Sequence, residues 1–531
     1  MAVGVVVALW ILTTLLWLTP GLTRPDGVAY FAYLPSTLLD RDLLFFDEWA
    51  DAGLIRPDGT ILFKDPTPTG HLSNHWTAGA SLAWYPAYLA GHLLASANDG
   101  AGGGVSVWHV AAIAWTSALA GLLVMLQGLR LAGRMFGLGP ATAAACALWL
   151  GSPMAFYATR HATMSHALSA AACAAVVLLS LRLRDGATPG RIFATGLAIG
   201  FACAVRPQNI VIALVPLLVA DALPILRRAH IFAAGGLLAA LPQLVVSQAI
   251  YGGPLVFVNI GDRAHTWQMF TRFRPLEMMT SWYHGLVTWT PLLVLAIAGF
   301  ALLWQKDRGL GRAAVFTFGA QWLLLAVLER WFWGGASFGQ RRFDSCTIFF
   351  ILGLAALFQR LPRWLTVPLA LAATSWTMLL FIAASRLNLN RFQTLPELID
   401  IFSERWGDPV WRSFLGFTPP ELRLEVIVTG LVVVAATLGA AALVWRFRRF
   451  TPAIAGTYLA VMTLFYAWCG AHPKHDARSL AIVGQWRAGN LPSAGIRDSI
   501  GLLRDEAIYM ERVGRHREAQ EALREAASLR P

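Results

Sequence analysis

Five carboxylates, Asp26, Asp40, Asp42, Asp47 and Glu48, fall within residues 24–49, directly after the first apolar run. Only 14% of the chain is charged, so this concentration beside an apolar segment asks for a chemical reason. A carboxylate at such a place can take the proton of an attacking hydroxyl as a general base. Asp26, four residues before Tyr30, is the first candidate for that role and Asp42 the second. Asp40-Arg41-Asp42 also has the spacing at which two carboxylates share a hard cation, so Mg or Mn is the candidate cofactor. A solvated helix end is the competing reading of these three residues.

Cations and aromatic residues supply the complementary chemistry. Arg206-Pro207-Gln208-Asn209 interrupts an apolar stretch, and its guanidinium suits a phosphate, although snorkelling to headgroups explains a charge there equally simply. Between Trp331 and Arg342 the chain reads WFWGGASFGQRR. Small residues such as Gly335 admit a ligand close to the backbone, while Trp333 and Phe338 can stack on a sugar or an isoprenoid. Arg341 and Arg342 can neutralise a phosphate, with headgroup anchoring as the alternative. A polar turn carrying Tyr157, His161 and His166 separates two apolar runs, and ionisable groups at the edge of a membrane span are expensive enough to suggest substrate contact. His75 and Trp76 open an aromatic stretch that either lines an acceptor entrance or anchors the interface. No diagnostic spacing marks Asp262, Arg263, His265, Trp267, Arg272, Arg274 and Glu277, or the candidate lid helix with Glu397, Asp400, Glu404 and Trp406. His472, His475 and Asp476 read as a basic linker rather than a metal site.

These residues must be positioned by membrane helices. Hydrophobic residues make up 56% of the 531, and apolar runs recur at lengths that span the ~30 Å hydrocarbon layer. Residues 2–18 lack a basic leader and a small-residue cleavage site, and are taken as the first span. Further spans are predicted near 107–129, 140–158, 163–181, 192–206, 209–225, 231–250, 286–304, 313–330, 344–359, 365–384, 424–445 and 453–470, about thirteen helices in an all-α polytopic bundle. The net charge of +12 lies in short loops between these runs rather than on one face, which argues against nucleic acid. Arg130/Arg134, Arg182/Arg184/Arg191, Arg227/Arg228, Lys306/Arg308/Arg312, Arg360/Arg363 and Arg446/Arg448/Arg449 share one side in this count, the cytoplasmic side by the positive-inside rule. If residues 76–96 lie in the interface, the acidic first loop is extracytoplasmic; if they span, it is cytoplasmic. The five cysteines are scattered without metal-ligand spacing and read as small core residues.

One span, an acidic loop with Asp26-Gly27-x-x-Tyr30, and then an aromatic juxtamembrane stretch resembles the start of the GT-C superfamily of membrane glycosyltransferases, which includes aminoarabinosyl- and mannosyltransferases. The stretch from Trp331 to Arg342 is similar to a pattern found in bacterial members. Gly27 stands where those relatives often carry Glu. The resemblance implies an interfacial 76–96 and a polyprenyl-phosphate sugar donor. It also implies an inverting transfer to a glycan, lipid or protein acceptor outside the inner membrane, with Arg206, Arg341 and Arg342 at the donor phosphate. The expected organisation is a transmembrane transferase domain over 1–470, a linker over 471–499 and a tetratricopeptide-like helical hairpin over 500–531. In the hairpin Ala507, Met510, Gly514, Ala519, Leu523, Ala526 and Pro531 fit the repeat, and a protein partner for it is an open expectation. The rival reading is a multi-pass transporter or lipid flippase, against which stands the lack of a hydropathy repeat between halves.

Overall fold

The apolar runs form helices because no other backbone arrangement satisfies its own hydrogen bonds within a single membrane-crossing segment. The computed structural model describes residues 1–22, 25–52, 67–98, 102–254, 273–328, 338–386, 395–404, 422–447 and 451–471, and in the tail 504, 507–508, 510–511 and 515–528. Within these, the long elements are α1 (Ala2–Trp17), α2 (Pro25–Pro35), α3 (Phe46–Asp51), α4 (Gly79–Asn98), α5 (Val107–Phe136), α6 (Leu138–Gly151), α7 (His166–Arg182) and α8 (Pro189–Val205). They continue with α9 (Val215–Val219), α10 (Ala222–Leu226), α11 (Ala229–Tyr251), α12 (Pro275–Thr280), α13 (Leu286–Trp289), α14 (Leu292–Lys306) and α15 (Arg308–Leu328). The remainder are α16 (Thr347–Arg360), α17 (Arg363–Arg386), α18 (Leu395–Glu404), α19 (Arg423–Arg446), α20 (Thr451–Ala471) and α21 (His516–Ser528).

Among the described residues six helices, α5, α11, α15, α17, α19 and α20, are long and apolar enough to cross a membrane. Shorter apolar helices, α1, α6, α7, α8 and α14, pack among them. The protein is thus an all-α polytopic membrane protein. At its centre α16 is buried on every side from Thr347 to Leu357, which is why its sequence is apolar all round rather than striped. It crosses α14 where Gly299 meets Gly353. A Cβ on Gly299 would stand 1.9 Å from the Gly353 carbonyl oxygen, so only small residues allow the two backbones this approach.

Two ends of the bundle differ in chemistry. At one, Arg184 grips Asp307 through two bonds of 2.6 and 2.8 Å and donates from Nε to the Val219 carbonyl. Arg228 there donates to the carbonyl of Ala187 at 2.7 Å. The loops after α7, α9, α10 and α14 therefore gather together, as the arginine grouping in the sequence predicts. At the other end lie the start of α2, the turn before α7, the end of α8 and residues 338–346.

Three predicted spans are not single α-helices. The span 140–158 ends as α6 at Gly151, where Ser152 is extended, and a π segment follows over Phe156–Arg160. Residues 209–225 are not one α-helix: a 3₁₀ segment over Pro207–Leu214 leads into the five-residue α9, and Pro207, Pro216 and Pro224 account for the interruption. At ~2.0 Å and ~1.5 Å per residue the two pieces still cover about 24 Å. The stretch 286–304 likewise divides at Pro291 into α13 and α14. As for 76–96, α4 has Gly79 against Ala204 and Val205 at the end of α8, and Gly91 against Trp108 at the start of α5. The first of these contacts lies beside Arg206, at the site end of the bundle.

Candidate active site

Asp26 occupies the first turn of α2, directly after Pro25, whose fixed φ suits the first helical position. A carboxylate there also faces the positive end of the helix dipole. Gly27 lets this turn lie on the segment before α7: a Cβ would come within 2.4 Å of Thr163 Oγ1. That contact gives the physical reason why no glutamate side chain stands at this position. From the opposite side comes Arg341. Its turn is fixed by Phe338, whose ring stacks on Phe156 at 4.5 Å and whose N–H donates to the Tyr157 hydroxyl at 2.7 Å.

Arg341 Nη2 donates to Asp26 Oδ2 at 2.9 Å, the guanidinium carbon lies 5.8 Å from the centre of the Tyr157 ring, and Nη1 reaches Met164 Sδ at 3.2 Å. The Arg341 side chain is 7% exposed and the Asp26 side chain 27%, so the acid faces solvent while the cation is held within the protein. Burial works against the charge of Arg341, but Tyr157 and Asp26 more than offset it and hold its pKa above the usual arginine value. Arg342 behaves oppositely: burial, and then the charge of Arg206, push it down to about 10.

Behind this pair lies a second constellation. Asp344 Oδ2 is 3.0 Å from His166 Nδ1 and 3.4 Å from Arg206 Nε. Arg206 Nη1 stands 3.3 Å from His166 Nε2. One tautomer satisfies both contacts: Nδ1–H donates to Asp344, and Nε2 accepts from Arg206. Arg206 also donates to Ser165 Oγ at 3.4 Å and to Gln208 Oε1 at 3.3 Å. Gln208 and Gln321 both donate to the Arg342 carbonyl, at 2.9 and 3.1 Å, and Ser345 donates to Gln321 at 3.2 Å. A small cleft opens beside these groups, lined by Tyr157, His166, Gln340, Arg341 and Asp344 together with Leu148, Met154, Leu293, Phe343 and Phe350.

The structure thus brings together Asp26, Tyr157, His166, Arg206, Arg341 and Phe338 from the residues singled out in the sequence, with Arg342 coupled electrostatically. His161 stacks on Phe156 at 4.7 Å, one ring away from Phe338. Tyr30 is buried and meets Trp76 edge to face at 6.5 Å, while His75 packs on Trp76 at 5.9 Å. Asp42 serves its own turn: it is 5% exposed and accepts from the Ser36 hydroxyl at 2.9 Å and from the Leu44 N–H at 3.1 Å. Trp333 and Gly335 lie outside the described residues, as do Asp262, Arg263, His265, Trp267, Arg272, Trp406, His472, His475 and Asp476. In the tail Ala507, Met510, Ala519 and Ala526 are buried and Leu523 is half exposed; Gly514 and Pro531 are outside the described residues. Crossed ion pairs, Arg274 with Glu518 at 3.1 Å and Arg515 with Glu277 at 2.5 Å, join the tail to the loop around α12.

Asp344 is the residue that sequence reasoning passed over. Its signal was present in the sequence, since a lone acid opening an apolar run, three residues after Arg341, is too costly to be incidental.

No family model matches this chain, and no curated protein matches it. Among solved structures it is similar to ArnT from Cupriavidus metallidurans bound to undecaprenyl phosphate, with a TM-score of 0.40 and 16% identity over 95% of this chain and 79% of that one. It is also similar to the archaeal oligosaccharyltransferase AglB from Archaeoglobus fulgidus, in complex with an inhibitory peptide and a dolichol-phosphate. There the TM-score is 0.42 and the identity 12%, over 96% of this chain and 59% of that one.

Proposed function

We propose that this protein transfers a sugar from a polyprenyl-phosphate donor to an acceptor hydroxyl, at the end of the bundle where Asp26 meets Arg341. The observation that carries this reading is one partly exposed carboxylate bonded to a buried guanidinium, with two further arginines behind it. Counting Arg206, Arg341 and Arg342 against Asp26 and Asp344 leaves at least one positive charge in excess, which suits an anionic group such as a carrier phosphate.

In the proposed reaction Asp26 takes the proton of the acceptor hydroxyl as its oxygen attacks the anomeric carbon. The bond between that carbon and the phosphate oxygen breaks, and the electron pair leaves with the carrier phosphate. The arginines stabilise the charge that develops there, which makes the transfer a single inverting displacement. Arg341 serves both partners, since its fork has donors enough to hold Asp26 and a phosphate oxygen together. The acceptor is a glycan, lipid or protein. The arginine-rich end of the bundle lies in the cytoplasm by the positive-inside rule. The site and the tail therefore face the extracytoplasmic side of the inner membrane.

The test uses purified protein in lipid nanodiscs with a panel of polyprenyl-phosphate sugars, comparing the natural chain with Asp26→Asn. Sugar release or transfer by the natural protein, lost in the variant, is the expected result. No turnover with any donor, together with movement of lipid or solute across a vesicle membrane, would replace the transferase by a transporter.

A further inference from the structure

Asp344 lines the cleft beside Arg341, and polar threads behind the arginines run to it and to its neighbour Ser345. It is 6% exposed, and its carboxylate meets both His166 and Arg206. The next residue, Ser345, donates to Gln321, which holds the Arg342 carbonyl; Gln208 holds the same carbonyl and accepts from Arg206. Arg206 ends α8 and Arg342 precedes α16, so the two cations reach one place from elements more than a hundred residues apart in the chain. Like charges placed together in a buried site repel and would turn apart unless something of opposite charge ties them.

We propose that Asp344, acting with His166, is the positioning residue of the anion site: it holds the Arg206 guanidinium behind the cleft that Arg341 lines, so that Arg206 and Arg342 add their charge to the field at one ligand phosphate. This rests on the carrier-phosphate reading above. His166 matters because its two nitrogens are committed in opposite senses, one donating to Asp344 and one accepting from Arg206. It sets the rotation of the guanidinium that the ion pair alone would leave loose. The network also predicts what Asp344 does not do. It takes no proton from the acceptor and makes no bond to the sugar, so losing it weakens the anion site before it affects proton transfer.

Two readouts test this, one of which needs no ligand. In nanodiscs, the rate at which phenylglyoxal modifies Arg206 is followed by peptide mass spectrometry, and binding of a short-chain polyprenyl monophosphate is titrated in the same preparations. Asp344→Asn should raise Arg206 modification on the order of tenfold and weaken monophosphate binding by a similar factor. Asp344→Glu should fall between the variant and the natural protein in both. Where turnover is measurable, the Asn change should appear in KM for the donor more than in kcat. Unchanged Arg206 reactivity in a folded Asp344→Asn protein would overturn the proposal. If that variant does not fold, Asp344→Glu carries the test, and reactivity identical to the natural protein overturns it. Monophosphate binding absent from the natural protein would defeat the function proposed above, while the modification rates would still decide whether Asp344 positions Arg206.

Discussion

Replacing Asp26 by Asn separates two roles that a simple loss of activity would confuse. In the natural protein the Arg341 guanidinium is shared: the Asp26 carboxylate at 2.9 Å offsets part of the positive charge that a phosphate on the remaining donors would meet. A hydrogen bond to a charged partner contributes about 1.5–3 kcal/mol, against about 0.5–1.5 for a neutral one. The amide therefore releases roughly 1 kcal/mol of hold on Arg341, and the 27% exposure of Asp26 keeps the figure at that lower end. One kilocalorie corresponds to about fivefold in affinity, so Asp26→Asn should bind a polyprenyl monophosphate about fivefold more tightly. Over the same substitution the transfer step loses its base, a fall of about 10²–10⁴ in rate. The assay pairs equilibrium titration of the monophosphate in nanodiscs with single-turnover sugar release. Tighter binding with a collapsed rate is the expected signature. Weaker binding in the variant would show that Asp26 helps to build the anion site instead of offsetting its charge. An undiminished rate would remove it as the base altogether.

Three further expectations follow from single contacts. Gly27→Ala drives a methyl group against Thr163 Oγ1, an overpacking worth about 1–3 kcal/mol. It should lower both activity and melting temperature, and a second change, Thr163→Ala, should recover part of each. Arg342, with its pKa near 10, stays charged below that pH and loses its proton above it. Monophosphate affinity should therefore fall as pH rises through about 10, and Arg342→Gln should weaken binding at neutral pH and flatten that decline. The sign for stability is opposite. Because the unfolded chain keeps this proton to higher pH than the folded one, the term favours folding increasingly as pH rises from about 10 towards the usual arginine value. At the tail, Arg274→Glu alone should loosen α21, and Glu518→Arg should restore it through the reversed pair. The expected size is ~0.2–1 kcal/mol, diminished by salt, and hydrogen exchange over residues 515–528 reads it.

The sequence by itself determined the environment of this protein. Apolar runs long enough for a bilayer are a local property of composition, and so is the placement of arginines between them. The all-helical fold was therefore legible without coordinates, and so was the meeting of the loops that carry Arg184, Arg228 and Arg312. Chemistry at exposed turns was legible for the same reason: Asp26, Arg206 and Arg341 each interrupt apolar surroundings in which a charge is costly, and the tertiary structure brings all three to one end. Local composition does not, however, encode which charge meets which. Asp26 and Arg341 are 315 residues apart, and His166 and Asp344 are 178 apart. Close packing brings them together, as where Gly27 lets the first turn of α2 lie against Thr163. The sequence ranked Asp26 ahead of Asp42 but could not show what either acid meets. Packing decided that, turning one toward a buried arginine and locking the other into the hydrogen bonds of its own turn.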